Sequence, residues 1–106
     1  MAMSWVADYP AAQDFLGLLL ESGSVNNYGR WSDAAYDAAL DEAASTDDAA
    51  EQARRYAEAE AIVRDAVPVI PMAYHEGWAL GREDLSGTEV SGLGILRFAS
   101  LDRAGP

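Results

Sequence analysis

Pro68 divides the chain into two kinds of sequence. Before it, apolar residues recur every three or four positions, the pattern of helices that each bury one stripe; from Val67 onward, Val-Pro-Val-Ile-Pro-Met-Ala-Tyr changes to an extended period. Proline ends a helix because its nitrogen carries no proton and its ring clashes with the preceding turn. Pro68 and Pro71 cannot donate to a ladder either, so a strand over about 69–74 begins at a sheet edge or gains partners only after Pro71.

The spacing predicts three helices on the amino-terminal side, over about 10–21, 33–44 and 47–67. Pro10 suits a first helical position, and Phe15, Leu16, Leu18, Leu19 and Leu20 supply an apolar face that stops at Ser22-Gly23-Ser24. Val25 to Trp31 reads as a loop rich in turn formers, with Tyr28 and Trp31 available to pin it to the body of the domain. Ser32 is the expected cap of the second helix, whose buried stripe is Tyr36, Ala39, Leu40 and Ala43. In the third helix Glu51 with Arg55, and Glu60 with Arg64, stand four apart with the acid first, each pair worth roughly 0.3 kcal/mol. Ser4–Ala7 suits a short buried strand, Gly81–Gly94 is mostly loop, and Ile95–Leu101 alternates as a last strand. The expected fold class is therefore α/β, or mixed α+β for the chain in isolation: three helices followed by two or three strands.

Composition narrows the function. With 106 residues the chain can build one small core. Its 18 acidic and 7 basic residues give a net charge of −11, which repels phosphate backbones and anionic lipid headgroups, so nucleic acid is an unsuitable partner. Nine of the acids lie between Asp33 and Glu60, on the solvated faces of two helices. The absence of cysteine excludes disulfides and thiolate metal sites. The opening residues lack the basic start, apolar stretch and cleavage site of a secretory leader, so either the mature protein begins abruptly or this is a piece of something longer.

Catalytic motifs are missing. His75 has Glu76 beside it, but neighbours in an extended chain point to opposite faces and share a proton or metal poorly. Asp37 with Asp41, and Asp41 with Glu42, read as a solvated helix face, and Ser91-Gly-Leu-Gly94 lacks the lysine and following helix of a phosphate loop. No metal ligands or cofactor are expected, and no enzyme. Asp8 is different: it follows the short apolar run Trp5-Val-Ala and precedes the proline that opens a helix. A carboxylate there suits either a ligand cleft at the end of a strand or a cap on that helix.

Trp5-Val-Ala-Asp-Tyr-Pro, a Leu-rich helix end, Asn26-Asn-Tyr-Gly-Arg-Trp-Ser, Tyr36-Asp-Ala-Ala-Leu-Asp-Glu-Ala, Thr46-Asp-Asp, Tyr56-Ala-Glu-Ala-Glu and Val67-Pro-Val-Ile-Pro-Met follow one another in an order that resembles the carboxy-terminal portion of the family 5 extracellular solute-binding proteins, the peptide receptors of ABC importers. The resemblance runs from Trp5 to Met72, and the Leu85-Ser-Gly stretch is compatible with it. It implies a two-lobed periplasmic-binding-protein-like fold, of which residues 1–75 are part of the ligand-closing lobe and 76–106 return to the other lobe. It also implies a non-enzymatic role in transport, an extracytoplasmic location as a periplasmic protein or lipoprotein, and the transporter's membrane subunits as partners. In the family, the aspartate of the Trp-x-x-Asp motif pairs with the ligand's free α-ammonium, and Asp8 holds that position with Trp5 as an apolar wall. Asn26, Asn27 and Tyr28 would lie near the cleft. Relatives often continue the motif with Asp-Pro and an amide where this chain has Ala11-Ala12-Gln13, and some members take nickel complexes, haem or sugars. For the chain alone the resemblance implies C-terminal strands with open edges, suited to exchange with another copy. The other reading is a self-standing acidic α+β domain that engages a basic protein partner.

Overall fold

The computed structural model describes residues 2–74, 76–78, 80–92 and 94–103. It has two compact units, one ending at Pro71 and the other running from Met72.

The first unit holds α1 (Gln13–Leu20), α2 (Ala34–Ala44) and α3 (Ala49–Ala66). The third begins where Asp48 turns its carboxylate onto the Ala50 and Glu51 N–H groups at 2.8 and 3.1 Å, satisfying donors that the first helical turn leaves free. The second is capped in the same way by Asp33, at 2.9 Å from the Ala35 nitrogen and 3.0 Å from that of Tyr36. This corrects the expectation for Ser32, whose hydroxyl instead meets that of Ser22 at 3.0 Å. A carboxylate one residue nearer the helix reaches both orphan N–H groups, and it suits the positive end of the dipole better than a neutral hydroxyl does.

The short connection Ser45–Asp48 folds α2 and α3 into a helical hairpin, with α1 against both. Leu20, Tyr36, Ala39, Leu40 and Ala59 form the buried cluster, with Leu16, Leu19, Trp31, Tyr56, Ile62 and Val63 packed around it. The alanines at 39, 43 and 59 let the backbones approach closely, which leaves Tyr36 as the one large apolar side chain among the described residues that is fully buried. The Glu51–Arg55 pair forms at 2.9 Å, and Arg55 also reaches Glu42 of α2 at 2.5 Å. Glu60 and Arg64 make no ion pair among the described residues, whereas Arg54 takes up Glu51 and Glu58.

The second unit is a nested hairpin of two-residue strands: β1 (Leu85–Ser86) pairs antiparallel with β4 (Asp102–Arg103), and inside it β2 (Glu89–Val90) pairs with β3 (Leu96–Arg97). Of the expected last strand over 95–101 only Leu96–Arg97 is strand, and four residues of the expected Gly81–Gly94 loop, Leu85–Ser86 and Glu89–Val90, are strand instead. Gly87 and Gly94, at φ of 71° and 75°, supply the left-handed conformations that the tight return needs. The strands expected over 4–7 and 69–74 do not form. Among the described residues the only paired strands are those of the hairpin, and a strand without a neighbour has no ladder to join; Pro68 and Pro71 remove two donors besides. No described helix is long and apolar enough to cross a membrane.

Candidate functional site

The Trp-x-x-Asp motif and the start of α1 close on one buried carboxylate, that of Asp14. It is 0% exposed, the only charged side chain among the described residues to be fully buried. The Trp5 indole Nε1–H donates to its Oδ2 at 2.8 Å, and the backbone N–H of Asp8 stands 3.3 Å from each of its oxygens. An unsatisfied buried carboxylate would be far costlier than these two hydrogen bonds, each worth about 1.5–3 kcal/mol when the acceptor is charged. The segment 5–8 is therefore tied to α1 through polar contacts, in place of the strand pairing expected of it.

Beside this tie, the Tyr9 hydroxyl donates to Gln13 Oε1. Desolvation raises the Tyr9 phenol above its usual range, and the Asp14 charge adds to the effect. The Asp8 side chain is exposed and makes no hydrogen bond among the described residues. It does not cap α1. The residue before that helix is Ala12 and no side chain caps it, because the turn over Pro10–Ala12 delays the helix to Gln13. Of the two roles open to Asp8 in the sequence, the cap on α1 is therefore not the one it takes. Trp5 is half-buried, with its polar edge on Asp14.

The loop that follows α1 is built on Asn27, 7% exposed. Its amide donates to the carbonyls of Leu20 and Glu21, both at 3.2 Å, and of Trp31 at 2.7 Å. Trp31 stands edge-on to the Tyr36 ring, with centroids 4.9 Å apart, so the loop is pinned as expected of Trp31, while Tyr28 remains about half exposed. Burial pushes the Tyr36 phenol well above its usual range, the carboxylates of Asp37 and Glu21 adding to this, and its hydroxyl donates to the Leu16 carbonyl at 2.8 Å. Asn27 is thus a structural residue of the loop. An open hollow of about 560 Å³ lies over this loop, bordered by Ser22, Asn27, Tyr28, Arg30, Trp31 and Ser32.

Two members of the other acidic pairs are engaged within the fold. Asp37 accepts from the Ser22 backbone at 3.0 Å and Glu42 is engaged by Arg55, so both tie elements together. Among the described residues no three His, Cys, Asp or Glu groups are placed to hold a metal. His75 lies outside the described residues, as does part of the Ser91–Gly94 stretch. Sequence reasoning did not single out Asp14. Its available signal was its position six residues after Asp8, on an otherwise apolar helix face beside Leu18.

No family model matches the chain. A probable deoxycholate-binding periplasmic protein of Escherichia coli is 41% identical over 71 residues, covering 67% of this chain and 13% of that protein. Di/tripeptide-binding protein 1 of Pseudomonas aeruginosa is 28% identical over 100 residues, 92% of this chain and 19% of its own. Heme-binding protein A of Haemophilus influenzae is 34% identical over 77 residues, 71% of this chain and 14% of its own. The chain spans a fifth or less of the curated relatives it matches. Over most of its length it is homologous, at low identity, to the family 5 peptide-binding periplasmic proteins, and it is consistent with a fragment of one.

Proposed function

We propose that the chain serves in an extracytoplasmic substrate-binding component of an ABC importer, in which Asp8 pairs with the α-ammonium of an extended peptide and Trp5 walls the same subsite. The observation that carries this reading is the exposed Asp8 carboxylate on a backbone fixed from behind by Asp14. A carboxylate with no hydrogen-bond partner among the described residues is available to a cation from outside, and once enclosed it would hold that cation by a charge-assisted hydrogen bond. Recognising the ammonium reads the end common to all free peptides and leaves their side chains unspecified. Several relatives are named for di- or tripeptides, which supports the choice. In this reading the remainder of the cleft and the contacts with the membrane subunits belong to sequence beyond this chain, with residues 1–75 in the ligand-closing lobe. The role is capture and delivery, without catalysis.

The test is calorimetry on the protein extended to the length of its relatives. Free di- and tripeptides should bind, their N-acetylated forms should bind at least about tenfold more weakly, and Asp8→Asn should reduce affinity to a similar degree. Equal affinity for free and acetylated peptides would remove the assigned role. One relative is named for deoxycholate, which has no ammonium group, and tighter binding of that acid than of peptides would favour an apolar subsite around Trp5 over a charge pair at Asp8.

A further inference from the structure

We infer that Asp14 is a positioning residue for the peptide-amine subsite, a role that rests on the reading of Asp8 just given. Its carboxylate is fully buried, and it gathers the two members of the motif from opposite chemical ends: the side chain of Trp5 and the backbone of Asp8. Holding Asp8 by its N–H leaves the Asp8 carboxylate free to face outward. Holding Trp5 by its indole N–H fixes the plane of the ring, since that N–H is the only donor on the side chain. Asp14 sits in the first turn of α1, so the geometry of the subsite is referred to the body of the first unit and not left to segment 5–8, which belongs to no helix or strand. Two carboxylates six residues apart thus have opposite duties: Asp14 is spent on internal donors and Asp8 is kept for an external one.

The test has two parts. In the chain itself, hydrogen exchange and the ¹⁵N-resolved resonance of the Trp5 indole N–H report the contact with Asp14 directly, with the 89%-exposed Trp78 indole as internal reference. The Trp5 indole should exchange at least about tenfold more slowly than that of Trp78. Asp14→Leu should abolish the difference, and Asp14→Asn, which keeps one acceptor oxygen, should retain much of it. Far-ultraviolet circular dichroism and the Trp31–Tyr36 near-ultraviolet signal confirm that each variant keeps its helices. In the protein extended to the length of its relatives, Asp14→Leu should weaken dipeptide binding by about tenfold or more, with substantial rescue by Asp14→Asn. Undiminished indole protection in Asp14→Leu overturns the inference, as does unchanged peptide affinity in that variant where Asp8→Asn does weaken binding. If Asp8→Asn itself leaves affinity unchanged while Trp5 protection still depends on Asp14, the reading of Asp8 fails and the inference about the subsite falls with it.

Discussion

Asn27 and Trp31 are joined at both ends of one amide: Asn27 Nδ2 donates to the Trp31 carbonyl at 2.7 Å, and the Trp31 N–H donates back to Asn27 Oδ1 at 3.2 Å. The same Nδ2 reaches the last carbonyls of α1, so a single side chain closes the helix end and the loop that returns to α2. Asn27→Ala should destabilise the chain by about 2–3 kcal/mol in urea unfolding, since it strands several buried polar groups at once. Asn27→Asp should cost at least as much, because a carboxylate cannot donate to three carbonyls. A loss below about 0.5 kcal/mol for both would mean that the loop is held by Trp31 packing alone.

Val67 ends α3 in the left-handed conformation, φ 47° and ψ 52°, with its N–H on the Val63 carbonyl at 2.8 Å. A β-branched residue is strained there, and with 60% of Val67 exposed little burial offsets the strain. Val67→Gly should therefore stabilise the chain by about 0.5–1 kcal/mol, the relief of strain exceeding the extra entropy of glycine in the unfolded chain. Thermal unfolding checks this, and a lower melting temperature would mean that Val67 packing matters more than its backbone.

Much of the helical unit was legible because its signals are local. Apolar spacing placed the stripe of Tyr36, Ala39, Leu40 and Ala43, all four of them buried, and Pro68 marked the end of α3. The hairpin was not legible, since a two-residue strand carries no alternation to read, and its pairing of Leu85 with Arg103 joins residues far apart in sequence. The site was legible in part. Trp5 and Asp8 stood out as a motif, but Asp14 gains its meaning only when α1 folds back to bring it under them.

Gly87 is the tightest point of the hairpin. A Cβ placed on it would lie 1.8 Å from the Ser100 carbonyl oxygen, at a φ of 71° that side chains rarely adopt. Gly87→Ala should break the β1–β4 pairing, read as loss of cross-strand contacts between Leu85 and Arg103 by nuclear magnetic resonance, with helical circular dichroism retained. Persistence of those contacts would show that the return can open at Ser100 without losing its register.

Acid should loosen α3 before the rest of its unit. Hydrogen bonding to Arg54 above all, then to Arg55, holds the Glu51 carboxyl below its ordinary value of 4.5, despite an opposing desolvation. A lowered carboxyl contributes stability that is present above about pH 4.5 and lost as the pH falls through the folded value. Glu51→Gln should reduce stability at pH 7 and flatten its fall below pH 4.5, and the wild-type advantage should shrink in high salt because these partners are exposed. Parallel acid curves for the two proteins would assign the loss to other carboxylates.

The last expectation concerns the stretch after α3. Ile70, Met72, Tyr74, Trp78 and Leu80 are between 77% and 104% exposed, an unusual concentration of large apolar side chains facing water. The chain by itself should lower this exposure by associating, and the short hairpin strands, each paired on one edge only, offer backbone donors and acceptors for the same purpose. Sedimentation over a range of concentrations should show reversible association that weakens when Ile70 and Met72 are both replaced by Ser. The same replacements should leave the helical core of the first unit intact, since neither residue belongs to its buried cluster. A chain that sediments as a monomer at millimolar concentration would exclude strand exchange, and with it the idea that this apolar stretch drives contact between copies.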